Sequence, residues 1–239
     1  IVSEKKYFKV TEDGVQEVTK KECELAVEKM IMSKCEAGDV SPNAVIPGGQ
    51  MGSDVIVTTD GYMEYFVSAY NAGNGEYVLS ARYEWLINPN FTDVDVFGLG
   101  HDSNLTQLSD YDVYYRYKVD ATHTMGVTVT KTTDEYTVPD GISIDDGGTV
   151  VKQDLSDNAF TSSGDGTAFT NHRGYLQYRV RVNNSNVNTV AVYAEYLHQQ
   201  HIISVSPSIS YPAGASIGVS SASKFKRMSP NPYLSVDLR

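Results

Sequence analysis

Between Tyr77 and Ile87 every odd position of the chain (Tyr77, Leu79, Ala81, Tyr83, Trp85, Ile87) is apolar or aromatic. The even positions include Ser80, Arg82 and Glu84. A period of two held over this length is a β-strand with one buried and one wet face. At about 3.3 Å per residue the stretch spans roughly 36 Å, about twice an ordinary strand. A strand that long needs a large sheet to pair with, and a second layer to cover Trp85, the only tryptophan of the chain.

The same period returns further on. Val113, Tyr115, Tyr117 and Val119 alternate with Asp112, Tyr114, Arg116 and Lys118, and Val127 and Val129 open a partner strand. Asp60-Gly61 sets a two-residue turn between Val55–Val57 and Tyr62–Tyr70, and Asn71–Gly75 turns the chain into the long strand. Tyr175–Val182 and Val187–Leu197, joined by an Asn-rich turn, predict a second hairpin. Ile203, Val205, Ile209 and Tyr211 alternate with serines, giving one more strand. Asn88–Ser109 reads as loop with at most a short strand near Val94–Leu99, and Thr137–Phe169 as short strands broken by Asp-Gly turns.

The N-terminal stretch is different. Lys5–Val10 and Val15–Val18 flank Asp13-Gly14 as a small hairpin. Thr19-Lys-Lys-Glu22 then has the spacing of a capping box, in which each side chain satisfies a backbone N–H of the helix start. Behind it Cys23, Ala26, Val27, Met30 and Ile31 form an apolar stripe, so a helix is predicted over Lys20–Glu36, stopping before Gly38. Along such a helix Cys23 and Cys35 lie about 18 Å apart, and a disulfide needs Cα atoms within roughly 7 Å. Two free thiols are expected. Ser41–Ser53, with Pro42, Pro47 and three glycines, reads as a linker. The expected architecture is an antiparallel β-sandwich over residues 54–239, with jelly-roll and immunoglobulin-like topologies both open. A hairpin–helix appendage over 1–40 and a linker over 41–53 complete it.

A net charge of −11 repels a phosphate backbone, so nucleic acid is not an expected partner. No apolar run is long enough for a transmembrane helix. The Ser/Thr/Asn/Tyr/Gly-rich composition fits an extracellular or cell-surface protein, and the absence of a leader before Ile1 places any targeting segment outside this sequence.

Literal matches to catalytic motifs lack the context their chemistry needs. Gly214-Ala-Ser-Ile-Gly218 has the spacing of a nucleophile elbow, but no His follows it. Ser221-Ala-Ser-Lys224 and Ser156-Asp-Asn158 stand in reversed order for a serine acyltransferase, without a Lys-Thr-Gly. His198 and His201 point to opposite faces of a strand and are expected half-exposed rather than metal-bound. His101, His123 and His172 show no base–nucleophile spacing.

The acidic loops are the remaining chemical signal. Asp140, Asp145 and Asp146, among glycines, offer the oxygens that calcium takes. Asp-Gly is also the ordinary turn dipeptide, and plain turns are the expectation here. The reading of the sequence is therefore an extracytoplasmic, non-enzymatic β-sandwich with a surface, binding or assembly role, its partner an unidentified protein or carbohydrate. The alternatives are a membrane-active protein inserting the Tyr175–Leu197 hairpin, and a hydrolase whose carboxylates converge without a linear motif.

Overall fold

The computed structural model describes residues 2–11, 14–36, 61–89, 92–109, 113–162, 164–184, 186–199, 208–210, 217–220, 225–228 and 233–238. In chain order these form β1 (Val2–Val10), β2 (Val15–Val18), α1 (Lys20–Glu36), β3 (Gly61–Gly73), β4 (Glu76–Ile87), β5 (Val94–His101) and β6 (Leu105–Gln107). Then come β7 (Tyr114–Met125), β8 (Thr128–Tyr136), β9 (Gly141–Asp145), β10 (Gly148–Asp154), β11 (Ala159–Phe160) and β12 (Gly166–Val182). The chain closes with β13 (Thr189–Gln199), β14 (Ser208–Ser210), β15 (Gly218–Ser220), β16 (Phe225–Arg227) and β17 (Tyr233–Asp237).

Two antiparallel sheets pack face to face, a β-sandwich. Among the described residues the larger has nine strands, in the order β2-β1-β3-β4-β12-β7-β8, with β6 and β11 also on β12. The smaller runs β16-β13-β5-β10-β9, with β17 on β13. The long alternating strand falls where its pattern placed it: β4 buries Tyr77, Leu79, Ala81, Tyr83, Trp85 and Ile87 and turns Arg82 outward. Its rings meet those of the smaller sheet. Tyr83 lies 5.1 Å from Phe97 and 4.6 Å from Tyr196 between ring centres, and Trp85 lies 6.1 Å from Tyr196. Edge-on aromatic contacts of this kind add to the burial of the rings themselves.

The N-terminal hairpin is not set apart from the sandwich. β1 pairs with β3 from Val2↔Ala69 to Val10↔Gly61, and Phe8 and Val10 join the core. Its apolar positions complete the edge of the large sheet, which the reading of residues 1–40 as an appendage did not foresee. The capping box is present: Glu22 N–H donates to Thr19 Oγ1 at 3.2 Å, and Thr19 N–H donates to Glu22 Oε2 at 2.6 Å. The stripe behind it is fully buried only at its start, with Ala26, Val27 and Met30 half-buried. Cys23 is buried, whereas Ile31 is 50% exposed and Met32 63%. The linker at 41–53, the Val55–Val57 strand, Asp60, Asp112 and the strand from Ile203 through Val205 lie outside the described residues, as do His201, most of Gly214–Gly218 and Ser221–Lys224.

The expected hairpin of Tyr175–Val182 with Val187–Leu197 is corrected. Its arms belong to different sheets, because β4 and β7 already occupy both edges of β12, and β13 pairs with β5, β16 and β17. The connection is a crossing from sheet to sheet, fastened where the Asn183 side-chain amide donates to the Ser103 carbonyl at 2.9 Å and to Thr106 Oγ1 at 3.0 Å. Two arms built into opposite layers cannot leave together as a membrane-inserting hairpin. Among the described residues no helix is long and apolar enough to cross a membrane.

Candidate functional site

The most enzyme-like constellation is buried between the sheets. Asp95 accepts hydrogen bonds from the Tyr196 hydroxyl, from His198 Nδ1 at 2.9 Å and from Gln199 N–H at 3.1 Å. Tyr196 in turn accepts from Trp85 Nε1 at 2.9 Å. His198 is therefore not half-exposed as the sequence suggested. It sits on the core side of β13, 5.3 Å from the Trp85 ring, with a side chain only 3% exposed. An Asp–His pair resembles a general base, but a substrate must reach a base within hydrogen-bond distance. Here tightly packed aromatic rings exclude it. The chain of bonds from β4 through β13 to β5 ties one sheet to the other.

The calcium candidates are divided. Asp140 precedes β9 and Asp145 ends it, about 16 Å apart at 3.3 Å per residue. Asp145 Oδ1 accepts from Gly147 N–H at 3.2 Å and shapes the turn that holds Asp146. Asp140 Oδ2 instead accepts from Asp154 N–H at 2.6 Å, beside a groove of about 250 Å³. That groove is lined by Asp140, Asp154 and Asp157, with Tyr136, Gln153 and Ser156. Burial, then the carboxylates of Asp140, Asp93, Asp157 and Asp95, raise the Asp154 carboxyl above its ordinary range. Among the described residues no group of His, Cys, Asp or Glu is arranged to hold a metal ion.

The surface with the strongest chemical character is the outer face of the large sheet. One row of aligned residues crosses five strands: Lys5 on β1, Phe66 on β3, Arg82 on β4, Tyr175 on β12 and Arg116 on β7. Cations and aromatic rings alternate along it. Lys5 Nζ and Arg82 Cζ stand 6.0 and 5.7 Å from the Phe66 ring centre, within cation–π range. At the far end Arg116 Cζ lies 5.9 Å from the Tyr114 ring, which meets Tyr175 edge-on at 5.8 Å. Glu64 holds the near end, its Oε1 accepting from Lys5 Nζ and Arg82 Nη2, each at 2.8 Å. Burial works against the Glu64 charge, but the hydrogen bonds and charges of Lys5 and Arg82 outweigh it, and the carboxyl is held below its usual range. The side chains of Lys5, Arg82 and Arg116 remain 39%, 45% and 39% exposed.

The rows beside this one differ. Ser68, Ser80, Gln177 and Tyr114 make a neutral row, with Ser68 and Ser80 hydroxyls 2.7 Å apart and Tyr175 OH donating to Gln177 Oε1 at 2.5 Å. Tyr70, Val78 and Arg179 form the next. Across the central strands the outer positions carry Arg82, Arg116, Lys118, Arg173, Arg179 and Arg181 against Glu64, Glu76, Glu84 and Asp120. That is a positive excess in a chain with 19 basic and 30 acidic residues. Helix α1 packs on β1 and β4 and bounds the face on that side.

Sequence reasoning put Arg82, Arg116, Tyr114 and Gln177 on wet faces one strand at a time. It did not find the row, because alignment between strands is a matter of register. The available signal was aromatics at wet-face positions, Tyr62, Phe66 and Tyr70 in β3 and Tyr175 in β12.

No protein-family model and no curated protein matches the chain. Among solved structures, a collagen-binding domain from a Staphylococcus aureus adhesin aligns with a TM-score of 0.34 and 9% identity, over 72% of this chain and 96% of that one. The likeness adds nothing to the two-sheet architecture described above.

Proposed function

We propose that this chain is a non-enzymatic binding module, working outside the cytoplasm in a surface or assembly role, and that it docks its partner on the outer face of the large sheet. The alternating Lys5–Phe66–Arg82–Tyr175–Arg116 row carries the reading. Tyr, Phe and Arg are the residues enriched in binding interfaces, and Tyr and Arg contribute disproportionately to affinity. Here they stand on a rigid sheet whose register fixes their spacing, so little ordering entropy remains to be lost on binding. The Asp95–His198 pair, closed off by Trp85 and Tyr196, supports the non-enzymatic part of the reading.

The test is binding of the purified chain to an immobilised panel of extracellular proteins and polysaccharides, compared with a Tyr114→Ser/Arg116→Ala variant. Lys29→Ala, on the exposed side of α1, is the control. Binding lost only in the double variant supports the outer face. Binding unchanged in it refutes the assignment.

One observation favours a second reading. A carboxyl raised by burial beside two other carboxylates, as Asp154 is beside Asp140 and Asp157, is what a hydrolytic general acid requires. Hydrolysis of any glycan on such a panel, abolished by Asp154→Asn, would select it.

A further inference from the structure

We infer that the chain cross-links itself: the Thr149 hydroxyl displaces ammonia from the Gln107 carboxamide and joins the two side chains as an ester. Gln107 lies on β6, which pairs with β12 of the large sheet, and Thr149 lies on β10 of the small one. Between the sheets Thr149 Oγ1 donates to Gln107 Oε1 at 3.2 Å, and Thr149 is fully buried. A nucleophile ready to react stands about 3–3.5 Å from its target atom. This oxygen already lies that close to the atom bonded to the target, Gln107 Cδ. The contact joins residues 42 apart in sequence, and the two cysteines, both in α1, provide no disulfide between the sheets.

Two further groups fit the chemistry. His101 is buried, and its Nε2 has no hydrogen-bond partner. Its Nδ1 stands 3.0 Å from the Asp102 carbonyl oxygen, which can only accept, so the ring proton sits on Nδ1 and a lone pair on Nε2. Burial lowers the basicity of the ring against the pull of Asp102 and Asp145, which keeps it unprotonated at neutral pH. His101 shares the interior face with Thr149. It lies two residues beyond Leu99, the partner of Thr149, on a diagonal that long side chains span. Across from it is Gly147, whose carbonyl accepts from His101 N–H at 2.9 Å and which places no side chain between the ring and the hydroxyl. Strand β12 runs past both groups: Tyr178 meets the His101 ring at 5.9 Å, and Val180, two residues on, pairs with Gln107. Gln107 Nε2, the leaving nitrogen, is also buried and unpartnered. A contact kept only for stability would leave neither atom orphaned, since each costs free energy in the folded state.

The step balances without any other reactant. Thr149 Oγ1 bonds to Gln107 Cδ while its proton passes to His101 Nε2. The tetrahedral carbon then gives up its bond to Gln107 Nε2, and that nitrogen takes the proton from His101 and departs as ammonia. An ester and one ammonia replace an alcohol and an amide. Ammonia becomes ammonium in neutral water, which draws the exchange forward, and the closed core keeps water from reversing it. The product is a covalent tie between the two layers of the sandwich.

The experiment is mass spectrometry of the purified chain. The intact mass should fall short of the sequence mass by one ammonia. Trypsin should yield Tyr83–Arg116 joined to Thr132–Lys152, the peptides that carry Gln107 and Thr149. Hydroxylamine added to the denatured wild type should part the pair and leave a hydroxamate on Gln107. Thr149→Val, which keeps the shape of the side chain, should show the full mass and a lower urea midpoint. His101→Ala should remain mostly at full mass while still melting cooperatively. A wild-type chain at its full sequence mass overturns the inference. So does a deficit lodged in the peptide Cys35–Arg82, where Asn74-Gly75 can lose ammonia as a cyclic imide, or a deficit that survives Thr149→Val. A linked pair that forms in His101→Ala as completely as in the wild type overturns the role given to His101.

Discussion

At Cys23, burial first, and then the carboxylates of Glu22, Glu64 and Glu24, push the thiol up to about 11. The thiolate is the reactive form, so in a Cys35→Ser background a thiol reagent at pH 8 should leave Cys23 unlabelled until denaturant is added. The linkage has a sign. The unfolded thiol ionises near pH 9 and the folded one near 11, so this contribution to stability is intact below 9 and is lost as the pH rises towards 11. His172 works at the other end of the scale. It is fully buried, with Nδ1 2.6 Å from the Tyr117 hydroxyl and its ring stacked on that phenol. Burial, with Arg173 adding to it and Asp120 opposing, lowers it to about 4. Below pH 6.5 the unfolded chain takes up a proton that the folded chain refuses. Stability therefore falls by up to about 1.4 kcal/mol per pH unit between 6.5 and 4. Thermal melts from pH 7.5 to 4.5 should show the slope, and His172→Gln should flatten it. Trp85 and Arg82, three residues apart on opposite faces of β4, make a matched pair. Trp85→Ala should cost about 3–5 kcal/mol and Arg82→Ala under about 0.5 kcal/mol, both measured by urea unfolding. Equal losses would mean that the outer face is covered.

Among the elements, β12 has the least freedom. Gly174 faces the core at the point where the Tyr83 ring crosses it, and an added Cβ would lie 2.2 Å from Tyr83 Cε1. Phe97 and Tyr196 hem that ring on its other sides, so it cannot move away. Gly174→Ala should destabilise by about 1–3 kcal/mol by overpacking, read as a fall in the urea midpoint, and a neutral outcome would show that the ring has room. The elements also show what a sequence reveals. β4 and β7 were legible because one face is wet and the other dry. β5 shows in the sequence as no more than a short strand near Val94–Leu99 within a loop-rich stretch, because it is dry on both faces: Phe97 and Leu99 face the large sheet, while Val96, on the other side, clusters with Val150, Leu197 and Ile217. Alternation vanishes in such a strand, and its Gly98 and Gly100 then look like turn residues. Gly98 is a packing residue, since a Cβ there would lie 2.8 Å from Ile217 Cδ1. β13 lost its alternation for the same reason, with buried Glu195 paired to Arg227 and accepting from Ile217 N–H at 2.5 Å. The candidate surface was hidden differently. Each of its residues was visible, but register joins them, and register depends on β12 entering between β4 and β7 from a place far along the chain.

For the whole molecule, charge is unevenly shared between an outer face rich in arginine and the acidic groove beside Asp140, Asp154 and Asp157. With Asp140 and Asp145 at opposite ends of β9, saturating calcium is expected to leave the melting temperature unchanged. An EDTA-reversible rise, lost in Asp145→Ala, would return calcium to that loop, since a ligand at a hundredfold excess over its dissociation constant adds about 2.7 kcal/mol.

The insertion of β12 between β4 and β7 also imposes an order of events on biosynthesis. Gly174 stands opposite Tyr83 on one side and Tyr117 on the other, so the strand that unites the large sheet is translated only after about two-thirds of the chain. Until then the emerging polypeptide holds two separate pieces, β2-β1-β3-β4 and β7-β8, each ending in a long row of unsatisfied backbone N–H and C=O groups. Such rows are templates for pairing with the wrong chain, and pairings this distant in sequence form slowly. A chain cut short before Gly166 would carry two adhesive edges, and only β12, arriving late, pairs with both of them.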